Sequence, residues 1–255
     1  TLTGCGYMNQ VRAMKAFKDG NKAYAASDWR AAAAKYEEAS QLTANDPTCE
    51  WCPAIYFYLG NSYDNMYRPA RKGEPANDAL MQKAVDNYKL ASEKLTEESQ
   101  PKRSLALDFL VAAYGPDKLA DPTQAEPVVQ RMIQLAPNEP TNYYWMGNLY
   151  GDQGRYEEAE ARFNKAIEVR PTEPQGYLVL AGFHNRQGNF DGAIEALQSR
   201  AEREPNNPEA FYTISTFHWE KAYRDFSLSD GEKMKHVQAG LTAVDKAISL
   251  NNPYM

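Results

Sequence analysis

Two stretches of the chain repeat one pattern: residues 141–171, TNYYWMGNLYGDQGRYEEAEARFNKAIEVRP, and residues 175–205, QGYLVLAGFHNRQGNFDGAIEALQSRAEREP. Each stretch ends in a proline, and Pro171 and Pro205 lie 34 residues apart. The same spacing separates Tyr143 from Tyr177, Gly154 from Gly188, Tyr156 from Phe190 and Ala159 from Ala193. A fixed period of this length, with a glycine between two helical patterns, predicts a stack of helix-turn-helix units.

Small and large side chains occupy fixed positions in this repeat. Gly147 and Ala159 are predicted to lie where the two helices of a unit cross, because larger side chains would hold the helices apart. The rings of Tyr150 and Phe163 are predicted to fill the space between one helix pair and the next. Gly154 suits the left-handed backbone that ends a helix. The pattern therefore predicts an all-α fold.

The repeat resembles that of the tetratricopeptide-repeat (TPR) family. The matching residues of the first stretch are Tyr143, Met146, Gly147, Tyr150, Ala159, Phe163, Ala166 and Pro171. The second stretch departs from the family pattern at Ala181, His184, Leu197 and Arg200. The resemblance implies a right-handed superhelical solenoid that holds other proteins rather than catalysing a reaction.

Weaker copies of the pattern extend over most of the chain. They give about six units, with approximate bounds 13–45, 53–98, 104–137, 140–173, 174–207 and 208–252. The third unit matches the pattern least well. The solenoid is thus predicted to occupy residues 13–255, behind a tail and linker at residues 1–12.

Two of these units are longer than the period requires, with inserts near residues 65–78 and 221–233. Both inserts are predicted to lie in the turn between the two helices of a unit, so both would project from the same rim. Each begins with a tyrosine–arginine pair, Tyr67-Arg68 and Tyr223-Arg224. The inserts are either tolerated loop growth or a pair of partner-binding arms.

Composition and charge argue against several classes of protein. The net charge is -6, from 28 basic and 34 acidic residues, without the basic block that nucleic-acid binding requires. No apolar run approaches the ~20 residues of a membrane-spanning helix. No phosphate-binding loop, HExxH or GxSxG motif is present, and His184 and His218 fall at packing positions of the repeat. We therefore expect no enzyme activity, no cofactor and no small-molecule substrate.

The start of the chain, Leu2-Thr3-Gly4-Cys5, resembles the lipobox of bacterial lipoproteins. In that family the cysteine is acylated, so Cys5 is the predicted lipidation site. Acyl chains hold a protein to a membrane without spanning it. The resemblance implies a periplasmic or cell-surface lipoprotein, and Gly6 after the cysteine favours the outer membrane over the inner. The alternative is an N-terminal tail with an isolated cysteine.

The other two cysteines, Cys49 and Cys52, form a CxxC pattern followed by Pro53. A c-type haem site is excluded, because it needs a histidine where Pro53 stands. Zinc needs two further ligands, and the histidines lie far along the chain and are not paired, so we expect no metal site. No βαβ pattern surrounds the cysteines, which argues against a thioredoxin-like centre. We predict a local disulfide, as suits an oxidising compartment, with a reduced structural pair as the alternative.

TPR solenoids bind partners on a concave surface lined by the first helix of each unit. The resemblance assigns to that surface Phe57, Asn61, Tyr144, Asn148, Tyr212 and Trp219. Aromatic rings supply apolar anchors, and asparagine pairs with the backbone of an extended peptide. The alternative is that the asparagines follow a family preference and bind no ligand.

The last predicted helix carries an apolar stripe of Val237, Leu241, Val244 and Ile248 at helical spacing. Part of the stripe is predicted to face the preceding helix. The rest needs cover, for which a partner subunit is one candidate.

Together these patterns predict a non-catalytic interaction scaffold, tethered by lipid, that serves as an accessory or structural subunit of a membrane-associated complex outside the cytoplasm. Its partners would be other protein subunits and, through the anchor, a membrane. Two alternatives stay open: a transient peptide-binding TPR adaptor, and an assembly lipoprotein resembling the pilotins of pilus or secretion machinery.

Overall fold

The computed structural model describes residues 4–44, 46, 49–95 and 100–251, and for residues 4–6 and 100–102 it describes the backbone alone. Over these residues the fold is all-α, which confirms the predicted class. The helices are α1 Gly4–Ala25, α2 Trp29–Thr43, α3 Pro53–Met66, α4 Pro75–Lys94, α5 Gln100–Ala113, α6 Pro122–Leu135, α7 Pro140–Asp152, α8 Tyr156–Val169, α9 Pro174–Arg186, α10 Phe190–Arg203, α11 Pro208–Arg224 and α12 Asp230–Leu250.

The chain divides into two compact units, Thr1–Met132 and Ile133–Met255. In the first unit, helices α1 to α5 each pack against the next helix along the chain. In the second unit, helices α7 to α12 do the same. This neighbour-on-neighbour packing is expected of stacked helix pairs.

Prolines and capping side chains set where the helices begin. A proline stands in the first turn of α3, α4, α7, α9 and α11, where its missing N–H leaves no hydrogen bond unmade. Asp28 accepts a hydrogen bond from a backbone N–H of α2, and Ser229 and Glu232 form a capping box at the start of α12. In the turns after α7 and α9, Gly154 and Gly188 have φ angles of 76° and 73°, which a Cβ would disfavour.

Close contacts between a glycine and an aromatic ring lie in the core of both units. Gly147 packs so closely on Phe163 that a Cβ on the glycine would lie 2.5 Å from the ring. Gly20 and Tyr36 make the same contact in the first unit, at 2.7 Å. The Phe163 and Tyr36 rings are fully buried. Each of these helix pairs is therefore closed around one aromatic ring.

The start of the chain differs from its prediction. The sequence predicts a tail and linker at residues 1–12, but α1 already begins at Gly4. No proline interrupts the sequence from there to Ala25, so nothing stops the helix from extending toward the amino terminus. Gln10 donates a hydrogen bond to the Asp46 carboxylate at 2.6 Å, which ties this early part of α1 to the first unit.

The insert near residues 221–233 also differs from its prediction. It was expected to form a projecting turn, yet its residues mainly lengthen two helices. Helix α11 continues to Arg224 and α12 starts at Asp230, so only five residues connect them. The capping box of Ser229 and Glu232 satisfies the backbone at that early start of α12.

The structure pairs Cys49 and Cys52 as a disulfide, with their Cα atoms 5.4 Å apart. Both cysteines are buried, and Pro53 opens α3 directly after them. The Trp51 ring between them lies 5.3 Å from the Phe17 ring of α1. The bond therefore closes the loop that precedes α3, and the Trp51 ring packs this loop against the first helix.

Replacing both cysteines, as Cys49→Ser with Cys52→Ser, is expected to lower the free energy of unfolding of the first unit by about 2 kcal/mol. The value follows from the loss of loop-closure entropy for so short a ring. Urea unfolding of the whole chain would measure it. Wild-type protein under dithiothreitol should unfold at the urea concentration of the double variant, and an unchanged midpoint in both samples would contradict the prediction.

Candidate functional site

The face of α3 that was predicted to bind a partner is closed by the first unit's own side chains. Asn61 is buried, and its Oδ1 accepts a hydrogen bond from the Tyr24 hydroxyl at 2.6 Å. Its amide Nδ2 lies 3.5 Å from the Tyr88 hydroxyl oxygen. Asn65 adds a further bond, at 2.9 Å, to the same Oδ1. Asn61 is therefore engaged inside the unit and does not present its amide to a peptide.

An ion pair continues this closure. The Lys118 ammonium lies 2.6 Å from Asp64 Oδ1, and the Tyr88 hydroxyl donates to Asp64 Oδ2 at 3.2 Å. Burial, and then the Asp64 charge, raise the pKa of Tyr88, so that its hydroxyl remains a donor at every physiological pH. The polar groups of this face thus satisfy one another.

Phe57, also predicted to contact a partner, is a core residue. Its side chain is buried against Ala91, Leu95 and Ala106, with the Phe109 ring 6.0 Å away. The position that reaches a concave surface in the family pattern therefore packs α3 against α4 and α5 here. Burial of this ring excludes it as a binding residue in the folded protein.

The insert of the first unit is folded back on its own chain. Tyr67 is buried, which contradicts its predicted role as part of a projecting arm. Asn77 holds the backbone of Arg68 through two hydrogen bonds, one accepted at 2.9 Å and one donated at 3.1 Å. The Arg68 guanidinium is exposed but donates to the Asn65 carbonyl at 2.9 Å. Of this predicted pair, only Arg68 lies at the surface.

The corresponding face of the second unit is open. Asn148 is exposed on α7, and the Tyr144 ring, one helical turn earlier, is half-buried. Burial, and then the charges of Glu173 and Glu139, raise the pKa of Tyr144 to about 12. Its hydroxyl therefore stays protonated and can donate a hydrogen bond at neutral pH.

Three large aromatic side chains line one face of α11. Tyr212, Trp219 and Tyr223 are 58%, 63% and 74% exposed. Their spacing of seven and four residues places them along a single stripe of the helix. Arg224 is less free, because it donates to Glu220 at 2.9 Å and its guanidinium lies 5.7 Å from the centre of the Phe190 ring. We call Tyr212, Trp219 and Tyr223 the α11 ridge.

A groove runs beside this ridge, between α11 and α12. One part is a cavity of about 290 Å³, whose lining includes Tyr212, Ser215, Trp219, Val237, Gly240 and Val244. A second cavity of about 330 Å³ shares Trp219 and Val237 and extends to Tyr223, Lys233 and Met234. The two cavities are neighbours that share Trp219 and Val237, and their lining is mainly apolar. We call them together the α11–α12 groove.

Two histidines meet behind the groove. The Nδ1 atoms of His218 on α11 and His236 on α12 are 3.1 Å apart. Burial lowers the pKa of both, and the buried ammonium of Lys221 lowers them further. Lys221 in turn forms an ion pair with Asp191 of α10. The pair is therefore held in its neutral form near pH 7.

The described residues contain no group of three or more His, Cys, Asp or Glu side chains arranged to hold a metal ion. Within the same part of the chain, no helix is both long and apolar enough to cross a membrane. The Cys5 side chain, predicted to be acylated, lies outside the described residues.

Residues 144–208, which cover α8 to α10 and parts of α7 and α11, match the family model of the tetratricopeptide repeat. The chain contains tetratricopeptide repeats. Its sequence matches no protein of curated function. The match and the packing of neighbouring helices confirm the predicted TPR fold.

Solved TPR structures share this fold. A TPR protein from Parabacteroides merdae superposes with a TM-score of 0.59 at 15% identity, over 95% of this chain and 94% of that one. The MamA protein gives 0.53 at 17% identity, over 86% and 98%. YrrB, described as a TPR protein with an unusual peptide-binding site, gives 0.50 at 19% identity, over 79% and 91%. At these identities the likeness shows the fold alone.

The sequence pattern identified the aromatic residues of the last TPR helix pair but missed the groove beside them. Met234, Val237, Leu241 and Val244 recur at spacings of three, four and three on α12. That spacing marks one face of a helix, and it was a usable signal. The predicted insert at residues 221–233 obscured it, because that insert ends directly before Met234.

Proposed function

We propose that this TPR protein is a non-catalytic scaffold that binds other proteins through the second unit, and that it is held at a membrane, outside the cytoplasm, by lipid on Cys5. In this role it is an accessory or structural subunit of a membrane-associated complex. TPR proteins serve as interaction scaffolds, which supports the first part. The membrane part rests on the sequence.

The observation that carries the binding proposal is the contrast between the two units. In the first unit, Asn61, Asp64 and Tyr88 satisfy one another on the helix face that the family uses for binding. In the second, the α11 ridge exposes two tyrosines and a tryptophan beside an apolar groove. Tyrosine and tryptophan are the residues most enriched at the energetic centres of protein interfaces. A peptide-binding site in the similar YrrB structure is consistent with this proposal.

The anchor proposal depends on the lipobox-like start and on the two remaining cysteines. A disulfide between Cys49 and Cys52 suits a protein of an oxidising compartment, because cytosolic thiols are kept reduced. A single acyl chain binds a membrane only reversibly, so stable anchoring through Cys5 requires two or more chains.

One extraction tests both parts. The protein would be released from native membranes with a mild detergent, alongside a Cys5→Ser variant. We expect a chain that begins at Cys5, carries the mass of at least two acyl chains and elutes in a fixed ratio with other subunits. The Cys5→Ser variant should appear in the soluble fraction.

The possible results separate the two claims. An unacylated chain that still elutes with partners in a fixed ratio would overturn the anchor and leave the scaffold. An acylated chain that elutes alone would overturn the scaffold. A soluble, unmodified monomer would contradict both, and would favour a transient peptide-binding adaptor.

A further inference from the structure

Within the second unit, the groove of one helix pair is covered by the next helix. Phe183 of α9 inserts between α7 and α8, where its ring centre lies 5.0 Å from that of Phe163 and 6.3 Å from that of Tyr156. Its nearest ring atom is 3.2 Å from the point where a Cβ on Gly151 would stand. The groove between α7 and α8 is thus filled by a single phenylalanine of the next helix.

The α11–α12 groove is lined by the same repeat positions. The positions that Gly151, Tyr156 and Phe163 hold in the α7–α8 pair are held in the α11–α12 pair by Trp219, Val237 and Val244. All three replacements line the cavity of about 290 Å³. No helix of the described residues covers them. The cavity is therefore the counterpart of the slot that receives Phe183 two junctions earlier.

Two differences make this last groove more apolar and longer. Glu160, which lies 3.8 Å from His184 at the covered junction, corresponds to Leu241. An apolar side chain of the occupant would therefore take the place of His184. Helix α11 has 17 residues where α7 has 13, and the second cavity extends the groove as far as Met234. The groove thus accommodates a longer helix than those of the repeats.

The first helix of a second copy does not suit this groove. The positions of α1 that correspond to Gly176, Val179 and Phe183 hold lysines: Lys15, Lys18 and Lys22. All three are exposed. Stacking one copy on the next would bring ammonium groups against Val237 and Val244, in a cavity whose lining offers no carboxylate to pair with them. The exposed face of α1 thus carries charge, whereas the α11–α12 groove is lined mainly by apolar side chains.

We propose that the α11–α12 groove binds an amphipathic helix of a partner protein, with an aromatic side chain in the slot that corresponds to that of Phe183. This rests on the proposed scaffold function and specifies its partner. The apolar residues of the partner helix recur at i, i+3 or i+4, and i+7, which is the mode by which helices enter apolar grooves. Trp219, at the centre of the groove, is the residue on which affinity depends most.

The first test uses a helix whose fit is already seen in the fold. A hydrocarbon-stapled, fluorescein-labelled peptide of residues 174–186 is titrated with the full chain, and binding is read by fluorescence anisotropy. We expect saturable binding that weakens at least about tenfold when Leu241→Lys places a charge in the groove. The same peptide with Phe183→Ala should also bind at least about tenfold more weakly. Asn164→Lys, an exposed change on α8, serves as the control and should leave affinity unchanged.

The second test identifies the natural occupant. A photo-crosslinking residue replaces Val237 in the full chain in native membranes, with Asn164 as the control position, and the linked segment is identified by mass spectrometry. We expect a segment of another protein with the stated helical spacing, whose synthetic peptide loses about tenfold in affinity for Leu241→Lys.

Crosslinks that lead back to this chain would overturn the proposal. Mixing isotope-labelled and unlabelled protein would then distinguish a second copy from a segment of the same molecule. Equal peptide binding by wild type and Leu241→Lys would overturn it as well. If subunits still elute with the protein in a fixed ratio, the scaffold function survives while the helix-binding groove does not.

Discussion

Phe163→Ala is expected to lower the free energy of unfolding of the second unit by about 3–5 kcal/mol. The Phe163 ring is fully buried between α7, α8 and α9, where it meets Gly147 and Phe183. Removing it deletes the contacts that hold three consecutive helices together, and the cavity can collapse only if the helices move. Urea unfolding of the second unit, followed by circular dichroism, measures the change.

Tyr156→Ala is the matched control for this prediction. Tyr156 lies on the same helix as Phe163 and also approaches Phe183, but it is 51% exposed. Its removal is expected to change stability by less than about 1 kcal/mol. If the two variants unfolded at the same urea concentration, burial of Phe163 would not be what holds the unit together.

A second substitution tests the contact itself. Gly147→Ala in the wild type brings a Cβ within 2.5 Å of the Phe163 ring, so the ring or the helices must shift. In the Phe163→Ala background the same change meets open space and replaces a helical glycine by a better helix former. We therefore expect a coupling of about 0.5–3 kcal/mol between the two positions. Additive effects would show that the residues do not touch.

The sequence pattern could predict this contact because it is set by the repeat. Gly147 and Phe163 lie 16 residues apart, and Gly20 and Tyr36 have the same separation. A small residue on one helix and a ring on its neighbour recur wherever two helices cross at this distance. Local periodicity was therefore enough to predict the helix pairs and their cores.

Contacts between distant residues were beyond such a pattern. Asn61 occupies a surface position in the family, but it is buried because Tyr24 and Tyr88, 37 and 27 residues away, supply hydroxyls to it. Nothing in the local sequence of α3 indicates those partners. Phe57 was misassigned for the same reason, since Leu95 and Ala106 come from beyond the end of its own helix pair.

The early start of α12 has a local signal in the sequence. Ser229, with Glu232 three residues later and an apolar stripe after it, is the signature of a capping box. Reading it would have placed Met234 on a helix beside Val237. The open groove would then have been predictable as a face of two helices, although its depth depends on how α11 and α12 pack.

The second unit is also expected to lose stability as the pH falls below about 6.5. That value is the ordinary pKa of histidine in an unfolded chain. Burial lowers the pKa of His218 and His236 in the folded protein, so the unfolded chain binds protons that the folded one resists. The stabilisation is complete above pH 6.5, declines as the pH falls toward the folded pKa of each histidine, and changes no further below it. The slope is at most about 1.4 kcal/mol per pH unit for each histidine.

The groups around His218 and His236 determine whether the first or the second proton bound by these histidines destabilises the second unit more. One Nδ1 can donate to the other at 3.1 Å in the neutral pair and in the singly protonated pair, but two imidazolium groups leave no acceptor. Lys221 opposes each proton, whereas Asp191, Asp225 and Glu232 partly compensate for it. The second proton therefore forces α11 and α12 apart, and it should be the more costly of the two.

Urea unfolding of the second unit at pH 7.5, 6.5 and 5.5 measures this dependence in a window where the nearby carboxylates stay ionised. Asp225 and Glu232 have lowered pKa values, since Ser227 and Ser229 donate hydrogen bonds to them, so their titration falls well below this window. His236→Gln removes one titrating group while retaining a polar side chain on α12. The free energy of unfolding of this variant should depend less on pH than that of the wild type. The two proteins should differ least in stability at pH 5.5. A wild-type midpoint that did not move between pH 7.5 and 5.5 would show that the α11–α12 contact tolerates two charged histidines.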